Sequence, residues 1–170
     1  MANDTDSVQP GEYGGLGALR NFKVVLKNVD GSSSIDITSL VLNVSIYEDI
    51  FSPTIYGEVS IKDAVNLLNG EEQFGGSFKF PIVGEEYIEI LYSVAGQKDV
   101  FRRFAVYSIK NIQHDANLKV RNYILHFCSE EHLIDATTLI QRSWKDTQIS
   151  DMVKQVLVDY LKVNETLPNG

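Results

Sequence analysis

Apolar and polar residues alternate along several short segments between residues 22 and 129. Successive side chains of a β-strand point to opposite faces, so this period of two predicts strands with one face on a core. The predicted strands include segments at 22–29, 101–112 and 122–129. Three others place on one face Leu40, Leu42, Val44 and Ile46, then Ile55, Gly57, Val59 and Ile61, then Ile88, Ile90, Tyr92 and Val94.

Turn-forming residues separate the predicted strands. Ser52-Pro53 interrupts the chain between two of them, because proline has no N–H to donate to a β-ladder. Residues 28–34 combine Asn, Asp, Gly and Ser, and residues 70–80 contain three glycines, so both are expected to be loops. Ile35 and Ile37 predict a strand that runs on into residues 40–47. Asp63 is expected to cap a short helical turn over residues 63–68.

The apolar period becomes helical after residue 128. Ser129 is suited to an N-cap, and Glu130 and Glu131 would oppose the helix dipole in the first turn. The apolar side of this first helix comprises Leu133, Ala136, Thr137 and Ile140.

A second helix is predicted to begin near Thr147. Its apolar side is a continuous stripe, which predicts a buried face, so Leu157→Asp is expected to bury a charge and unfold the helical segment. The stripe comprises Ile149, Met152, Val153, Val156, Leu157 and Tyr160.

These patterns predict a mainly β fold with C-terminal helices, an α+β protein whose strands form an antiparallel β-barrel or sandwich. The glycine-rich residues 1–20 are expected to be a flexible N-terminal arm. Residues 21–129 are predicted to form the β domain, and residues 130–170 a helical segment that opens a further domain.

The chain is acidic, with a formal net charge of −8. The first 90 residues carry 5 Lys and Arg against 14 Asp and Glu. Because phosphate contacts need a basic surface, this composition disfavours specific binding of nucleic acid. No apolar run approaches the roughly 18 residues that a membrane-spanning helix requires.

The order of the segments is similar to that of one family of assembly proteins. The segments that carry the similarity are S-I-Y-E-D-I-F-S-P at 45–53, G-E-V-S-I-K-D at 57–63, G-E-E-Y-I-E-I at 84–90, F-R-R-F-A-V-Y-S-I at 101–109, Y-I-L-H-F-C-S-E-E-H-L-I-D at 123–135 and I-S-D-M-V-K-Q-V-L at 149–157. In this order, residues 22–165 resemble the N-terminal half of the baseplate hub proteins of contractile-tailed bacteriophages. They are also similar to the spike–hub proteins of type VI secretion.

The resemblance implies a structural protein and not an enzyme. Hub proteins of this family begin with a tail-tube-like β-barrel, and a second barrel of the same kind would lie outside these 170 residues. The expected assembly is a homotrimer that joins a sixfold tail tube to a threefold cell-puncturing spike. Expected partners are the tail tube protein, the spike protein and other baseplate subunits. Viral DNA is expected to pass through a central channel without specific binding. The expected location is the tail baseplate of the virion, assembled in the host cytoplasm.

The resemblance brings no catalytic, cofactor or metal residue, but it implies that strand edges and long loops contact neighbouring subunits. The loops concerned are at 48–56 and 70–84. Arg102-Arg103 is the only basic pair of adjacent residues, and Trp144 fits either an interface hot spot or a core residue. The candidate interface residues are Tyr47, Asp49, Phe51, Pro53, Tyr56, Phe74, Phe78, Arg102 and Arg103.

The densest set of metal-ligand residue types lies at the end of the last predicted strand. It comprises His126, Cys128, Glu130, Glu131 and His132. His126 and Cys128 fall on one strand face, but a second cysteine or a third nearby histidine is missing, so structural roles are favoured over a zinc site. Cys128 with His132 matches no hydrolase motif.

Pairs of adjacent carboxylates do not by themselves indicate a glycosidase. Adjacent strand residues point to opposite faces, whereas glycoside hydrolysis needs two facing carboxyl groups about 5–10 Å apart. The pairs are Glu48/Asp49, Glu71/Glu72 and Glu85/Glu86.

Two alternatives from other functional classes remain open. One is a free-standing β-barrel module that binds carbohydrate or protein, for which Tyr87, Tyr92 and Tyr107 are scattered aromatic candidates. The other is a tail-associated cell-wall hydrolase, which the absence of a catalytic constellation disfavours.

Overall fold

The computed structural model describes residues 19–64, 67, 80–94, 97–115 and 120–163. It contains a seven-stranded antiparallel sheet followed by two short helices, which confirms the predicted mainly β fold with C-terminal helices. The elements are β1 (Leu19–Lys27), β2 (Ser34–Asp36), β3 (Val41–Tyr47), β4 (Tyr56–Asp63), β5 (Tyr87–Val94), β6 (Val100–His114), β7 (Arg121–Cys128), α1 (Glu130–Thr137) and α2 (Ile149–Gln155). A 3-10 turn (Thr38–Leu40) joins β2 to β3, and a π-helical turn (Val156–Tyr160) continues α2.

The order of strands in the sheet is β2-β1-β5-β6-β7-β4-β3. Its two edge strands, β2 and β3, are thus consecutive along the chain, and this forces the sheet to curl. Six inter-strand spacings of about 4.8 Å would separate the edges of a flat sheet by about 29 Å. The connection from Asp36 to Val41 reaches at most about 17 Å when fully extended. The sheet therefore curls towards a barrel, although no ladder joins β2 to β3 within the described residues.

Asp36 and Thr38 fix the connection between the two edge strands. The N–H and the hydroxyl of Thr38 both donate to Asp36 Oδ1, at 3.0 and 2.6 Å, and Val24 N–H donates to Thr38 Oγ1 at 2.9 Å. The hydrogen bonds from Thr38 lower the pKa of Asp36. The prediction of one strand from Ile35 to residue 47 is wrong, because these side-chain bonds favour a turn over extended backbone.

The inner face of the curled sheet forms the core. Fully buried residues alternate along β4 and β7, and along β5 as far as Ile90, as the period of two predicted. Beyond Ile90 the prediction fails, because Ser93 is buried and Val94 is only half-buried. The rings of Phe104 and Phe127 lie 4.8 Å apart. The buried core comprises Val24, Leu26, Ile37, Val59, Ile61, Leu67, Phe80, Ile82, Ile88, Ile90, Phe104, Val106, Tyr123, Leu125 and Phe127.

Leu42 departs from the predicted alternation. The register between β3 and β4 shifts between Val41 and Asn43, and an extra residue in a strand reverses the face of its neighbours. Val41 and Val44 pack against the core, whereas Leu42 is 63% exposed. The prediction that Leu42 shares the buried face is therefore wrong.

Gly57 allows β3 and the core to approach β4 closely. A Cβ at this position would lie 2.6 Å from Phe127 Cζ and would overlap the carbonyl oxygen of Ser45. Glycine is therefore required by the packing of both neighbouring strands.

Asp63 is the last residue of β4 and is fully buried, and its role as the cap of the turn at 63–68 stays a prediction. Tyr123 Oη donates to Asp63 Oδ2 at 3.4 Å. Burial, reinforced by the negative charge of Asp63, raises the pKa of Tyr123. Half of the predicted turn at 63–68, namely residues 65, 66 and 68, lies outside the described residues, as do residues 1–18 of the predicted arm. β1 begins at Leu19.

The two helices differ from the sheet in burial. The buried residues Ala105 and Cys128 lie on the outer face of the sheet beside α1, yet neither α1, α2 nor the π-helical turn contains a buried residue. Leu157 is 39% exposed, so the expectation that Leu157→Asp would bury a charge is wrong. Within the described residues, no helix has the length and apolar content that crossing a membrane would require.

Trp144 lies between α1 and α2 and is half-buried. Its Nε1–H donates to Gln155 Oε1 at 2.9 Å, and the guanidinium of Arg142 lies 5.6 Å from its ring centroid. Arg142 also forms an ion pair with Asp159 at 3.7 Å. Trp144 therefore ties the 138–148 connection to α2 and is not part of the sheet core.

Candidate assembly surface

The β3–β4 loop, residues 48–55, displays the two most exposed large apolar side chains of the described residues. Ile50 and Phe51 are each 92% exposed. Asp49 builds the turn that presents them, since its Oδ1 accepts from Phe51 N–H at 2.9 Å and its carbonyl from Ser52 N–H at 3.0 Å. The loop tip is thus shaped by local hydrogen bonds that hold two apolar groups in water.

The base of the β3–β4 loop is bonded to the start of α1. Thr54 Oγ1 and Ser129 Oγ lie 2.6 Å apart, and Ser129 N–H donates to the Ile55 carbonyl at 2.8 Å. Ser129 occupies the predicted N-cap position, but its side chain makes no capping bond to the helix. Sequence reasoning missed the Thr54–Ser129 contact, because the partners are 75 residues apart and no local signal links them.

Tyr47 and Tyr56 form an aromatic pair at the ends of β3 and β4, next to the β3–β4 loop. They are paired in register, with ring centroids 5.5 Å apart and ring planes inclined by 30°. Both are nearly half exposed. The structure therefore brings together five of the predicted interface residues, Tyr47, Asp49, Phe51, Pro53 and Tyr56.

Arg102 and Arg103 do not act as one basic pair, because adjacent strand residues point to opposite faces. Arg102 pairs with the buried Ile90 and is itself exposed. The Arg103 guanidinium lies 4.0 Å from the Tyr87 ring centroid, and its Nε lies 4.0 Å from Glu130 Oε2. Tyr87 Oη also donates to Glu130 Oε1 at 3.2 Å, so Arg103 helps to hold α1 on the sheet.

Phe74 and Phe78, the other two predicted interface residues, lie outside the described residues. The same holds for Glu71/Glu72. Of the remaining carboxylate pairs, Glu86 is buried and accepts from Val83 N–H at 2.6 Å and Gly84 N–H at 2.9 Å. Glu86 therefore holds a turn and does not face a second carboxyl group across a cleft.

The residues considered for metal or thiol chemistry occupy structural positions. Cys128 is buried beneath α1, and this burial raises the pKa of its thiol, which disfavours the reactive thiolate at neutral pH. His126 lies beside Tyr107, with ring centroids 6.2 Å apart. Among the described residues, no three His, Cys, Asp or Glu side chains come close enough to hold a metal ion.

An apolar groove, here named the seam groove, lies along β3 on the side away from β4. Its volume is about 430 Å³. Leu42, which the register shift places on the surface, lines the seam groove. The other residues that line the seam groove are Leu19, Phe22, Val41, Asn43, Val44, Ile46, Ile90 and Tyr92.

The three tyrosines considered for a carbohydrate platform are dispersed. Tyr87 lies under Arg103, and Tyr92 packs against the core and lines the seam groove. Tyr107 is half exposed beside His126. The adjacent exposed rings are instead those of Tyr47 and Tyr56.

Comparison with known proteins gives only distant structural likenesses. No family model and no curated protein matches the chain. A solved structure described as the half-lidded PdpA–VgrG complex of Francisella aligns with 82% of this chain at 13% identity and a TM-score of 0.41. This chain spans 22% of the length of the matched chain. A likeness at this level gives no information on the function of the chain.

Proposed function

We propose that this chain is a structural subunit of a contractile injection machine: a baseplate hub that forms a trimer and joins a sixfold tube to a threefold spike. The open seam carries the proposal. The sheet is curled, but on the side away from β4 its edge strand β3 has no ladder partner in the described part of the chain, and an apolar groove runs beside it. The segment order, which resembles that of hub proteins, supports the same function.

The sequence of β3 suits an edge that another chain completes. Monomeric proteins usually protect an exposed edge with Lys, Pro or inward charges, because unpaired N–H and C=O groups recruit further strands. The β3 segment VLNVSIY contains no charged residue and no proline. Its only protective feature is the register shift after Val41, which leaves the rest of the strand available for pairing.

The side chains of a type that could act in catalysis occupy structural positions, which supports a non-enzymatic role. Cys128 is buried and Glu86 is bound by backbone N–H groups. In the proposed machine, DNA passes through a central channel without specific binding, and the net charge of −8 supports this because it repels phosphate. The proposed location is the tail baseplate of a virion.

Light scattering after size exclusion of the intact gene product tests the hub. We expect a trimer, alone or with tube and spike proteins, and a ring with pseudo-sixfold symmetry by electron microscopy.

Leu42→Lys would place a charge in the seam groove and is expected to abolish assembly with little loss of stability. Leu139→Lys, at another exposed leucine, is the control. A chain that stays monomeric with tube and spike present would contradict the proposal.

A free-standing carbohydrate-binding module is the second candidate, and the exposed Tyr47–Tyr56 pair favours it. Aromatic rings displayed side by side can stack on sugar rings. Binding to a glycan array that Tyr47→Ala and Tyr56→Ala abolish would support this function. Cell-wall hydrolysis is tested by the same preparation on peptidoglycan, where we expect no activity.

A further inference from the structure

A second groove lies between the β3–β4 loop, the start of α1 and the residues that follow α2. We name it the acidic groove, and its volume is about 680 Å³. It is distinct from the seam groove, since the two share no lining residue. Its size is that of a site for a few side chains of a binding partner.

Three carboxylates lie on the rim of the acidic groove, and no cation among the described residues forms an ion pair with them. Glu48 and Asp49 belong to the loop wall and Glu131 to the α1 wall, and all three are exposed. No Lys, Arg or His is among the residues that line the groove, and no ion pair of the described residues involves these three. Glu130, by contrast, forms an ion pair with Arg103 at 4.0 Å.

The remainder of the acidic groove is largely apolar. Ile50 and Ile55 line it from the loop, and Leu157, Leu161 and Val163 from the C-terminal segment. Leu157 belongs to the helical stripe that the sequence predicts to be buried, and in the structure it faces a groove instead of a core. An apolar floor with a charged rim is the usual arrangement of a protein–protein contact.

We propose that the acidic groove binds a segment of a partner protein in which apolar side chains are flanked by Lys or Arg. This inference rests on the proposed function, in that the partner is another component of the same particle. The apolar side chains of the segment would cover Leu157 and Leu161, and its cations would pair with Glu48, Asp49 and Glu131. Phosphate-bearing ligands are excluded by the same three carboxylates.

The test uses the full chain and a designed amphipathic helical peptide with Leu on one face and Lys on the other. Binding is followed by fluorescence anisotropy, and a peptide with Glu in place of each Lys is the probe control. The double variant Glu48→Lys/Glu131→Lys reverses two rim charges and leaves the Asp49 turn intact. Glu85→Lys/Asp135→Lys makes the same change in net charge at exposed positions outside the groove.

We expect the Lys peptide to bind, the Glu peptide not to bind, and the groove variant to bind about tenfold more weakly. The control variant should bind within about twofold of wild type, and Leu157→Ala should also weaken binding. Equal weakening by the groove and control variants would overturn the proposal, because it would show only the attraction of an acidic chain for a basic peptide. Absence of binding to wild type would overturn it as well.

Light scattering on the same samples separates this inference from the proposed function. A trimer that binds no peptide would refute the acidic groove as a site and leave the hub standing. A chain that binds the peptide through the groove but never assembles would refute the hub and leave the site. If the groove variant dissociates the trimer, the occupant is a second copy of the chain, and the proposed partner segment is wrong.

Discussion

The curled sheet and the C-terminal helical segment carry equally clear apolar patterns, yet only the sheet buries its pattern. Along β4 and β7 the predicted core residues are fully buried, with Val59 and Leu125 paired across the strands. In α2 and the π-helical turn, no residue is buried. A periodic apolar pattern thus shows that a face needs covering, but it does not show that the same chain supplies the cover.

The largest loss of stability is expected from a substitution in the sheet. Gly57→Ala places a methyl group against the Phe127 ring and the Ser45 carbonyl, and we expect it to lower the free energy of unfolding by about 3 kcal/mol. Urea denaturation measures the change. Glu58→Ala, at the adjacent residue on the outer face, is the control and is expected to have little effect. Equal stability of Gly57→Ala and wild type would show that β3 does not approach β4 as described.

A smaller effect is expected at the buried polar pair. Tyr123→Phe removes the hydrogen bond to Asp63, a fully buried carboxyl group, while it preserves the ring in the core. We expect a loss of about 2 kcal/mol by chemical denaturation, since a buried polar group that loses a partner keeps its desolvation cost. Tyr107→Phe, on the half-exposed outer face, should change stability by much less. An unchanged denaturation midpoint for Tyr123→Phe would mean that the pair adds nothing to the stability of the sheet.

The helical segment is expected to tolerate a Leu-to-Asp substitution that would unfold the sheet. Because Leu157 is 39% exposed, Leu157→Asp should cost only about 0.5 kcal/mol and leave the helical circular dichroism unchanged. Leu125→Asp is the matched substitution in the sheet, and there a buried charge should unfold the chain. Loss of the fold in both variants would show that Leu157 is buried in solution. The sheet and the helical segment would then not differ in burial.

The smallest expected effect concerns pH and the connection between β2 and β3. The pKa of Asp36 in the folded state lies below its unfolded value of about 3.9. The ionised carboxylate therefore makes its full contribution to the free energy of unfolding above that pH. The contribution is lost as the pH falls through the folded pKa. Because Asp36 is largely exposed, the loss should be small.

Thermal unfolding of wild type and Asp36→Asn between pH 6 and pH 2 measures this effect. We expect the two curves to converge at low pH, with wild type the more stable at pH 6. A constant difference across the range would show that ionisation of Asp36 does not stabilise the connection.

Sequence reasoning predicted the features that depend on near neighbours. The period of two marks β4, β5 and β7 because each strand has one face on the core, and the change of period marks α1 and α2. The β3–β4 loop was predicted from Ser52-Pro53, and the structure places five of the predicted interface residues in or beside it. The register shift at Leu42 was not predicted, because an inserted residue leaves no trace in composition.

The missed parts of the candidate surface depend on distant partners. The Thr54–Ser129 contact fixes the base of the loop, and the Asp63–Tyr123 contact places a buried acceptor at the end of β4. Neither pair has a local signature. The turn at Asp36 does have a local signal in the sequence, since Asp followed two residues later by Thr is a common turn pattern. The apolar pattern around it, however, favoured a strand.

The turn between β2 and β3 also limits how many strands the seam can accept. With the three residues of the 3-10 turn rising about 2 Å each and the two remaining steps extended, the tether spans about 13 Å. Insertion of one strand requires two spacings, about 9.6 Å, whereas insertion of two requires about 14.4 Å. If another chain completes the sheet as proposed, the hydrogen bonds between Asp36 and Thr38 therefore limit the gap between β2 and β3 to a single inserted strand, which corresponds to one partner segment for each copy of this chain.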